Sequence, residues 1–327
     1  MVTFYTRPFA LSIGSLSRKP CRFEVPSIDI YVEGGRAMCP GCLAGVALIV
    51  AGMGSGGGLA ELGINRLLRR AGAETSTEQN AEGVMERPIV VSRTEWLEAR
   101  KQLLIREKEW SRQRDALTAE RRRLPMVKVE HEYVFESPKG QATLRDLFGR
   151  HRQLIVYHFM FDPNWEEGCK NCSHFADNFA GAIVHLAARD TAFAAVSRAP
   201  WQKIEAFKRR MGWTFPWVSS FGTTFNYDFH VALDAARGSV EYNYADAEAL
   251  HRAGKLWSTK GELPGLSVFL RDSDDVFHTY STYQRGLDLL LNTYNYLDLT
   301  PLGRQEDGEP AQGWIRHHDR YGTSVAG

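Results

Sequence analysis

Residues 154–177 read LIVYHFMFDPNWEEGCKNCSHFAD, and this stretch decides the fold. Its first part, 154–161, is a nearly continuous apolar run rich in strand-forming residues, which is typical of a central strand buried on both faces. The Asp162-Pro163-Asn164 tripeptide then turns the chain, and a pair of cysteines two residues apart opens a helix. A CxxC pair at a strand-to-helix junction is a specific signal for dithiol chemistry.

The two cysteines of this pair, Cys169 and Cys172, have different predicted roles. Cys169 would lie in the first helical turn, where unpaired N–H groups and the helix dipole stabilise an anion. That position lowers a thiol pKa from about 8.5 into a range of roughly 3.5–7.5, and Lys170 adds a cation. The spacing puts Cys172 on the same side of the turn. We therefore expect Cys169 to attack a disulfide and Cys172 to resolve the mixed disulfide, without cofactor or metal.

Alternating elements continue on both sides of this stretch. The CxxC helix is predicted to run to about residue 188. Further predicted elements are strands at 127–135, 191–197 and 215–219, helices at 144–148, 204–211 and 286–296, and a hairpin of 266–270 with 276–280. Parallel crossovers followed by an antiparallel hairpin indicate an α/β sheet with helices on both faces.

A long helix is predicted upstream, at about 92–123. Ser92 and Glu95 form a capping box at its start, and Pro125 follows its end. Apolar residues recur every seven positions along an otherwise charged rod of roughly 45–50 Å: Trp96, Leu103, Trp110, Leu117 and Leu124. This amphipathic stripe is interpreted either as a helix laid along its own domain or as an arm that forms a homodimer.

Residues 1–86 are predicted to be a poorly ordered, linker-like extension, and 87–327 to be the folded domain with a C-terminal tail. The segment 43–60 has 18 residues without a charge, which meets the lower limit for a membrane helix, but six of them are glycine. It is interpreted as a flexible or buried Gly-rich hairpin or as a weak membrane helix, so membrane association through 43–60 is one expectation.

Composition excludes several classes of protein. The 40 basic and 39 acidic side chains leave a formal charge of +1, which gives no electrostatic footprint for nucleic acid. Five cysteines in 327 residues are too few for a secreted disulfide scaffold. No secretory signal opens the chain, and we therefore expect a cytoplasmic location.

Several further segments carry a family resemblance: GWTFPWVSS (212–220), FNYDF (225–229), PGLSVFLRD (264–272), VFHTYSTYQRGLD (276–288), YNYLDLTPLGR (294–304) and WIRHHDRYG (314–322). Together with FDPNWEEGCKNCSHFAD (161–177), they make the chain resemble the thioredoxin superfamily. More closely, it is similar to the bacterial thioredoxin-like family catalogued as domain of unknown function 899, described as predicted dithiol–disulfide oxidoreductases. The resemblance covers roughly residues 88–322.

This resemblance implies a thioredoxin-like fold and a dithiol–disulfide oxidoreductase. Its substrate would be a disulfide-containing protein or a small thiol compound, and an unidentified reductant would restore the dithiol. Thioredoxin-like proteins place a cis-proline against the CxxC, and Pro264 occupies the matching position; an ordinary trans-proline turn is the alternative interpretation. The chain departs from thioredoxin in the Lys-Asn interior of its CxxC and in the position of Trp165, which precedes Cys169 by four residues. Trp165 is interpreted as a cleft wall or as part of the aromatic core.

The sequence leaves several functions open besides a dithiol–disulfide oxidoreductase. A non-catalytic thioredoxin-like binding module is one, and a peroxidase-like thiol enzyme is another, although Glu166 and Asp162 stand three and seven residues before Cys169, where peroxiredoxins need Thr or Ser and Pro. A four-thiolate zinc site would combine the CxxC with Cys39 and Cys42.

Two histidine sites also have two interpretations each. His158 would exchange a proton with Cys172 or be a satisfied core residue. His317-His318-Asp319 would bind a metal or form a solvated polar tail.

Overall fold

The structure, a computed structural model, describes residues 88–255, 260–307 and 310–322. The predictions for 1–86, including the segment 43–60 and the pair Cys39 and Cys42, lie outside these residues. The α-helices are α1 (Arg93–Arg121), α2 (Lys170–Ala176), α3 (Phe179–Ala187), α4 (Trp201–Arg210), α5 (Phe225–Asp228), α6 (Ala247–Arg252) and α7 (Asn292–Leu297). Short 3₁₀ helices cover Asp146–Phe148, Gln284–Leu290 and His318–Arg320.

The strands are β1 (Val127–Lys128), β2 (Val134–Ser137), β3 (Gly140–Thr143), β4 (Gln153–His158), β5 (Thr191–Ser197), β6 (Trp217–Ser219), β7 (Ala232–Leu233), β8 (Glu241–Tyr242), β9 (Ala245–Asp246), β10 (Gly261–Glu262), β11 (Gly265–Asp272) and β12 (Asp275–Tyr283). Eight of them form one sheet in the order β1-β12-β11-β4-β5-β6-β2-β3. Two small ladders, β7 with β10 and β8 with β9, lie outside it.

The centre of the sheet has the predicted thioredoxin-like arrangement. Strand β4 pairs in parallel with β5, and β5 with β6, because helical crossovers connect them. Strand β11 returns antiparallel to β4, and β12 folds back on β11 across the predicted turn. The helix that carries Cys172 follows β4 directly. The α/β fold class is therefore confirmed.

Helices cover both faces of this sheet. Alternate side chains of β4 point to opposite sides: Tyr157 packs with α2, α3 and α4, while Val156 packs with α5 and α6. Each face buries its own aromatic-rich cluster. The cysteine pair belongs to the face that Tyr157 helps to form.

Three predicted elements are divided in the structure. The strand predicted at 127–135 is wrong as one element, because β1 pairs with β12 while β2 pairs with β6 and β3, so the chain must cross the sheet between them. The helix predicted to reach residue 188 breaks after α2, where the Asn178 side chain bonds the His174 carbonyl in competition with the helix backbone. The helix predicted at 286–296 is a 3₁₀ helix followed by α7, separated at Leu291.

The long helix α1 confirms the capping box, with Ser92 and Glu95 each accepting from the other's backbone. None of its residues is buried by the described part of the chain. Its apolar stripe is therefore not buried, although Arg121 at the end of the helix lies over the ring of Tyr280 in β12. The interpretation that the helix lies along its own domain stays a prediction. The homodimer stays a prediction.

No helix within the described ranges is long and apolar enough to cross a membrane. The segment 43–60 lies outside these ranges, so membrane contact through it stays a prediction.

Candidate active site

The loop between β4 and α2 brings Cys169 and Cys172 against the carboxyl end of β4. The Cys169 N–H donates to the Met160 carbonyl (3.0 Å), and the Met160 N–H faces the Cys172 Sγ at 3.4 Å. Cys169 is the N-cap residue of α2. One backbone unit at the end of β4 therefore positions both sulfurs.

Gly168, directly before Cys169, permits a close approach of two aromatic rings. A Cβ atom built at Gly168 would lie 2.7 Å from Cε1 of Phe159 and 2.7 Å from Cε1 of Phe207. Both rings belong to the buried core. Only a residue without a side chain fits here, so the rings fix the backbone that presents Cys169.

The pKa of the Cys169 thiol is lowered to about 7. The largest cause is the neighbouring Cys172 thiol, whose effect outweighs the opposing effect of burial. The backbone N–H groups of Asn171 and Cys172 face the sulfur and lower its pKa further, although neither makes a capping bond of normal geometry. This is the helix N-terminal effect that the sequence predicted.

Cys172 is buried, with 1% of its surface exposed. Burial raises the pKa of its thiol well above the ordinary value, and the neighbouring Cys169 raises it further. The hydroxyl of Tyr157 faces this thiol, and has no hydrogen-bond partner of normal geometry among the described residues. Both cysteines are free thiols. The pair thus consists of Cys169, whose thiol has a lowered pKa, and Cys172, whose thiol keeps its proton.

Lys170 has a smaller electrostatic role than the sequence suggested. Its charge lowers the pKa of Cys169, but less than the Cys172 thiol or the helix N–H groups do. Its ammonium group donates to the carbonyl of Gly313 (3.0 Å). The C-terminal segment is thereby joined to the first residue of α2.

A cavity of about 560 Å³ opens beside Cys172. Its apolar wall includes Tyr157, Phe175 and Leu287, and polar groups complete it. The full set of lining residues is Tyr157, Met160, Asn171, Cys172, Phe175, Lys255, Glu262, Leu263, Pro264, Gln284, Arg285, Leu287, Asp288 and Gln312. This volume lies within the usual range of small-molecule sites, about 300–1,000 Å³.

Pro264 lines this cavity, as its predicted place against the CxxC requires. The expectation of a cis bond is wrong, since the described residues contain no cis peptide bond. Pro264 lies between β10 and β11, and the trans form is the one ordinarily favoured before proline, by about 0.5–1 kcal/mol. The Pro264 carbonyl accepts a hydrogen bond from the Tyr242 hydroxyl (2.8 Å).

Glu262 is a cavity residue that the sequence reasoning missed. Its carboxylate is buried and paired with the guanidinium of Arg198, which also bonds Asp162 (2.7 Å) and Tyr227. Burial raises the pKa of Glu262 to about 7 despite the Arg198 charge. Arg198 directly follows β5, and charged residues at the carboxyl ends of parallel strands are a signal that could have found it.

Trp165 and His158 lie away from the sulfurs. Trp165 is 39% exposed and is not a wall of the cavity; its carbonyl accepts from the Lys203 ammonium (3.0 Å). His158 points to the opposite face of the sheet from Cys172, stacks on Phe229, and shares a 2.8 Å hydrogen bond with Ser267. Burial lowers the pKa of His158 to about 3. It is a core residue in this structure.

The His317-His318-Asp319 tripeptide is docked on the site, so the interpretation of a solvated tail is wrong. His317 is buried and bonds the Gly168 carbonyl (2.9 Å), His318 bonds Asp177 (2.7 Å), and Asp319 accepts from Arg210 (2.8 Å). Within the described ranges no three His, Cys, Asp or Glu residues are grouped to hold a metal ion. Cys39 and Cys42 lie outside those ranges, so this does not test the four-thiolate zinc alternative.

The chain belongs to the family described as "Bacterial protein of unknown function (DUF899)", whose model matches residues 85–321. No curated protein matches it. Among solved structures, the chain has low similarity to a PrxQ mutant of Xylella fastidiosa, with 12% identity and a TM-score of 0.34 over 52% of this chain and 94% of that one. Peroxidoxin BcpB of Mycobacterium tuberculosis has 14% identity and a TM-score of 0.32 over 53% of this chain and 97% of that one. The mitochondrial 2-Cys peroxiredoxin of Plasmodium falciparum has 11% identity and a TM-score of 0.32 over 53% of this chain and 94% of that one. Similarity at this level says nothing about activity.

Proposed function

We propose that this protein is a cytoplasmic dithiol–disulfide oxidoreductase in which Cys169 attacks and Cys172 resolves. The observation that carries the proposal is the placement of both cysteines at the start of α2, where the Met160 carbonyl accepts from the Cys169 N–H and the Met160 N–H faces the Cys172 sulfur. Opposite pKa shifts on the two thiols support it. About half of the Cys169 would be thiolate near pH 7, and the thiolate is the nucleophile.

The reaction conserves atoms and electrons. The Cys169 thiolate attacks one sulfur of a substrate disulfide R–S–S–R, forms Cys169–S–S–R and releases RS⁻, which takes up a proton. Cys172 then loses its proton, attacks the Cys169 sulfur and releases the second thiolate. The substrate gains two electrons, and the enzyme is left with a Cys169–Cys172 disulfide that an external dithiol must reduce.

The second step needs an acceptor for the Cys172 proton. Glu262 lines the same cavity, and its pKa of about 7 suits an acceptor near neutral pH. The hydroxyl of Tyr157 faces the Cys172 sulfur and can stabilise the thiolate as it forms. Both groups support the resolving role of Cys172.

The test uses the full chain with Cys21, Cys39 and Cys42 replaced by serine, so that the CxxC thiols alone react. The aromatic disulfide 5,5′-dithiobis(2-nitrobenzoate) reports each released thiolate by absorbance. The unsubstituted CxxC should release two per chain and end as a disulfide. Cys172→Ser should release one and keep a mixed disulfide on Cys169, and Cys169→Ser should react much more slowly.

Equal, slow reaction of both single variants would contradict the proposal and favour the non-catalytic binding module. A peroxidase would instead oxidise Cys169 rapidly with hydrogen peroxide, at rates far above those with disulfides. Residues 162 and 166 hold Asp and Glu in place of the Pro and the Thr or Ser of peroxiredoxins. This favours a disulfide over a peroxide as the substrate.

A further inference from the structure

The C-terminal segment 310–320, here called the strap, crosses the start of the CxxC helix. Its Gly313 carbonyl accepts from the Lys170 ammonium (3.0 Å), and its His317 ring bonds the Gly168 carbonyl (2.9 Å). These two contacts are made on either side of Cys169. The strap therefore runs directly alongside the attacking cysteine.

Glu306 anchors the beginning of the strap. One of its carboxylate oxygens accepts from the Gln312 N–H (2.8 Å), the Trp314 indole N–H (2.9 Å) and the Tyr294 hydroxyl. Charge-assisted hydrogen bonds of this kind are stronger than neutral ones. The anchor ties the strap to α7, an element of the folded core.

Ion pairs fix the far end of the strap. Arg210 on α4 bonds both carboxylate oxygens of Asp319 (2.8 and 2.9 Å) and also Glu167 (2.7 Å), two residues before Cys169. Arg320 pairs with the same Glu167. The strap is thus held at both ends and in its middle.

The strap contributes Gln312 to the wall of the cavity beside Cys172. The 3₁₀ helix at 284–290 supplies Gln284, Arg285 and Leu287 to the same wall. A disulfide within a folded protein carries chain on both sides of each cysteine, and that chain needs an open groove past the attacking sulfur. The strap occupies that path, whereas a compact molecule fits a volume of about 560 Å³.

We infer that the site accepts low-molecular-weight disulfides and that the strap excludes disulfides of folded proteins. This inference rests on the proposed function: the small disulfide is the R–S–S–R of that reaction, with one R group held in the cavity while Cys169 forms the mixed disulfide. The apolar wall and the polar rim suit R groups that have an aliphatic part and a polar end.

The test compares kcat/KM for two classes of substrate with the full chain. The small substrates are hydroxyethyl disulfide, cystine and oxidised glutathione, and the protein substrate is insulin, all with dithiothreitol as reductant. Glu306→Ala removes the anchor of the strap, and Glu306→Gln retains part of it. Glu248→Ala is the matched control, because the exposed side chain of Glu248 pairs with Arg252 on α6 and does not line the cavity.

We expect the unsubstituted chain to prefer at least one small disulfide over insulin by a factor of about ten or more. Glu306→Ala should lower that preference by about tenfold, since three hydrogen bonds are lost. The preference of Glu306→Gln should lie between those of the unsubstituted chain and Glu306→Ala, and Glu248→Ala should keep the preference of the unsubstituted chain. Equal kcat/KM for insulin and the small disulfides in the unsubstituted chain would overturn the inference and leave the proposed function standing, and so would an unchanged preference in Glu306→Ala. Reduction of neither class would overturn both.

Discussion

The Cys172 thiol lies beside the Cys169 sulfur at the start of α2, and it lowers the pKa of Cys169 more than any other neighbour does. Cys169 in turn raises the pKa of Cys172. In the proposed mechanism, the resolving cysteine thereby activates the attacking one while it keeps its own proton. Cys172 would then have two functions, activation of Cys169 and resolution of the mixed disulfide, which are often assigned to separate residues.

Removing the thiol of Cys172 should make Cys169 less acidic. In the background without Cys21, Cys39 and Cys42, we expect Cys172→Ala to raise the pKa of Cys169 by about one to two units, the value of a hydrogen bond to a charged group. At pH 7 its alkylation by iodoacetamide should then slow by about tenfold. The rate of alkylation measured from pH 5 to 10 gives the midpoint directly.

Cys172→Ser is the control for this measurement, because a hydroxyl can still donate to the Cys169 sulfur. Its midpoint should stay closer to 7 than that of Cys172→Ala. Identical midpoints in the two variants would show that the donor does not lower the pKa of Cys169.

Glu262 should make stability depend on pH. Its pKa is raised by burial from 4.5 to about 7, so its contribution is fully present below pH 4.5 and is lost as the pH rises through 7. Between pH 4.5 and 8 this loss is on the order of 3 kcal/mol. Urea unfolding should give a steeper fall in the free energy of unfolding for the unsubstituted chain than for Glu262→Gln.

The comparison of slopes separates this effect from the loss of the Arg198 pair. Glu262→Gln has no carboxyl to titrate, so its free energy of unfolding should lack the fall that Glu262 causes between pH 4.5 and 8, whatever the vertical offset that the changed contact with Arg198 produces. Parallel curves for the two proteins would contradict a buried carboxyl that titrates near neutrality.

His158 should remain neutral throughout the physiological range. Burial lowers its pKa to about 3, so its contribution to stability is present above pH 6.5 and is lost only as the pH falls toward 3. In proton NMR spectra the C2–H resonance of His158 should not shift between pH 5 and 8. A titration near pH 6.5 would contradict the buried placement.

His158 should also have no influence on the thiols. His158→Asn keeps a polar group for Ser267 and should leave the alkylation midpoint of Cys169 unchanged. A shift of that midpoint by about one unit would show coupling through the sheet.

Local patterns were sufficient to predict the strand–CxxC–helix unit. The apolar run at 154–161 and the helix start at Cys169 are fixed by burial and by chain geometry within a few residues. The capping box of Ser92 and Glu95 is likewise local, and the family resemblance supplied the place of Pro264. Such features are determined by residues that are close together in the sequence.

Features that depend on distant contacts were missed. The pKa of Glu262 depends on burial produced by strands that are far apart in the sequence, and the docking of His317 depends on a carbonyl 149 positions away. The strand predicted at 127–135 was divided because its two parts pair with opposite edges of the sheet. Hydrophobic periodicity contains no information on which strands become neighbours.

The exposed stripe of α1 should mediate association of two copies of the chain. Trp96, Leu103, Trp110 and Leu117 are all exposed, and pairing would bury them. We expect sedimentation velocity to detect a dimer, and Trp110→Glu to weaken it by at least about tenfold. Lys108→Glu, which lies on the opposite side of the helix, should leave the dimer intact. A monomer at all concentrations would contradict this prediction.

The strap has a consequence for biosynthesis. Gly313 follows Lys170 by 143 positions, and ribosomes add about 5–20 residues per second. The nascent CxxC therefore emerges on the order of ten seconds before the polypeptide that will cover it has been translated. During that interval the thiols meet every oxidant and every partner in their surroundings, so the protein acquires its shielded dithiol only as translation of the strap is completed.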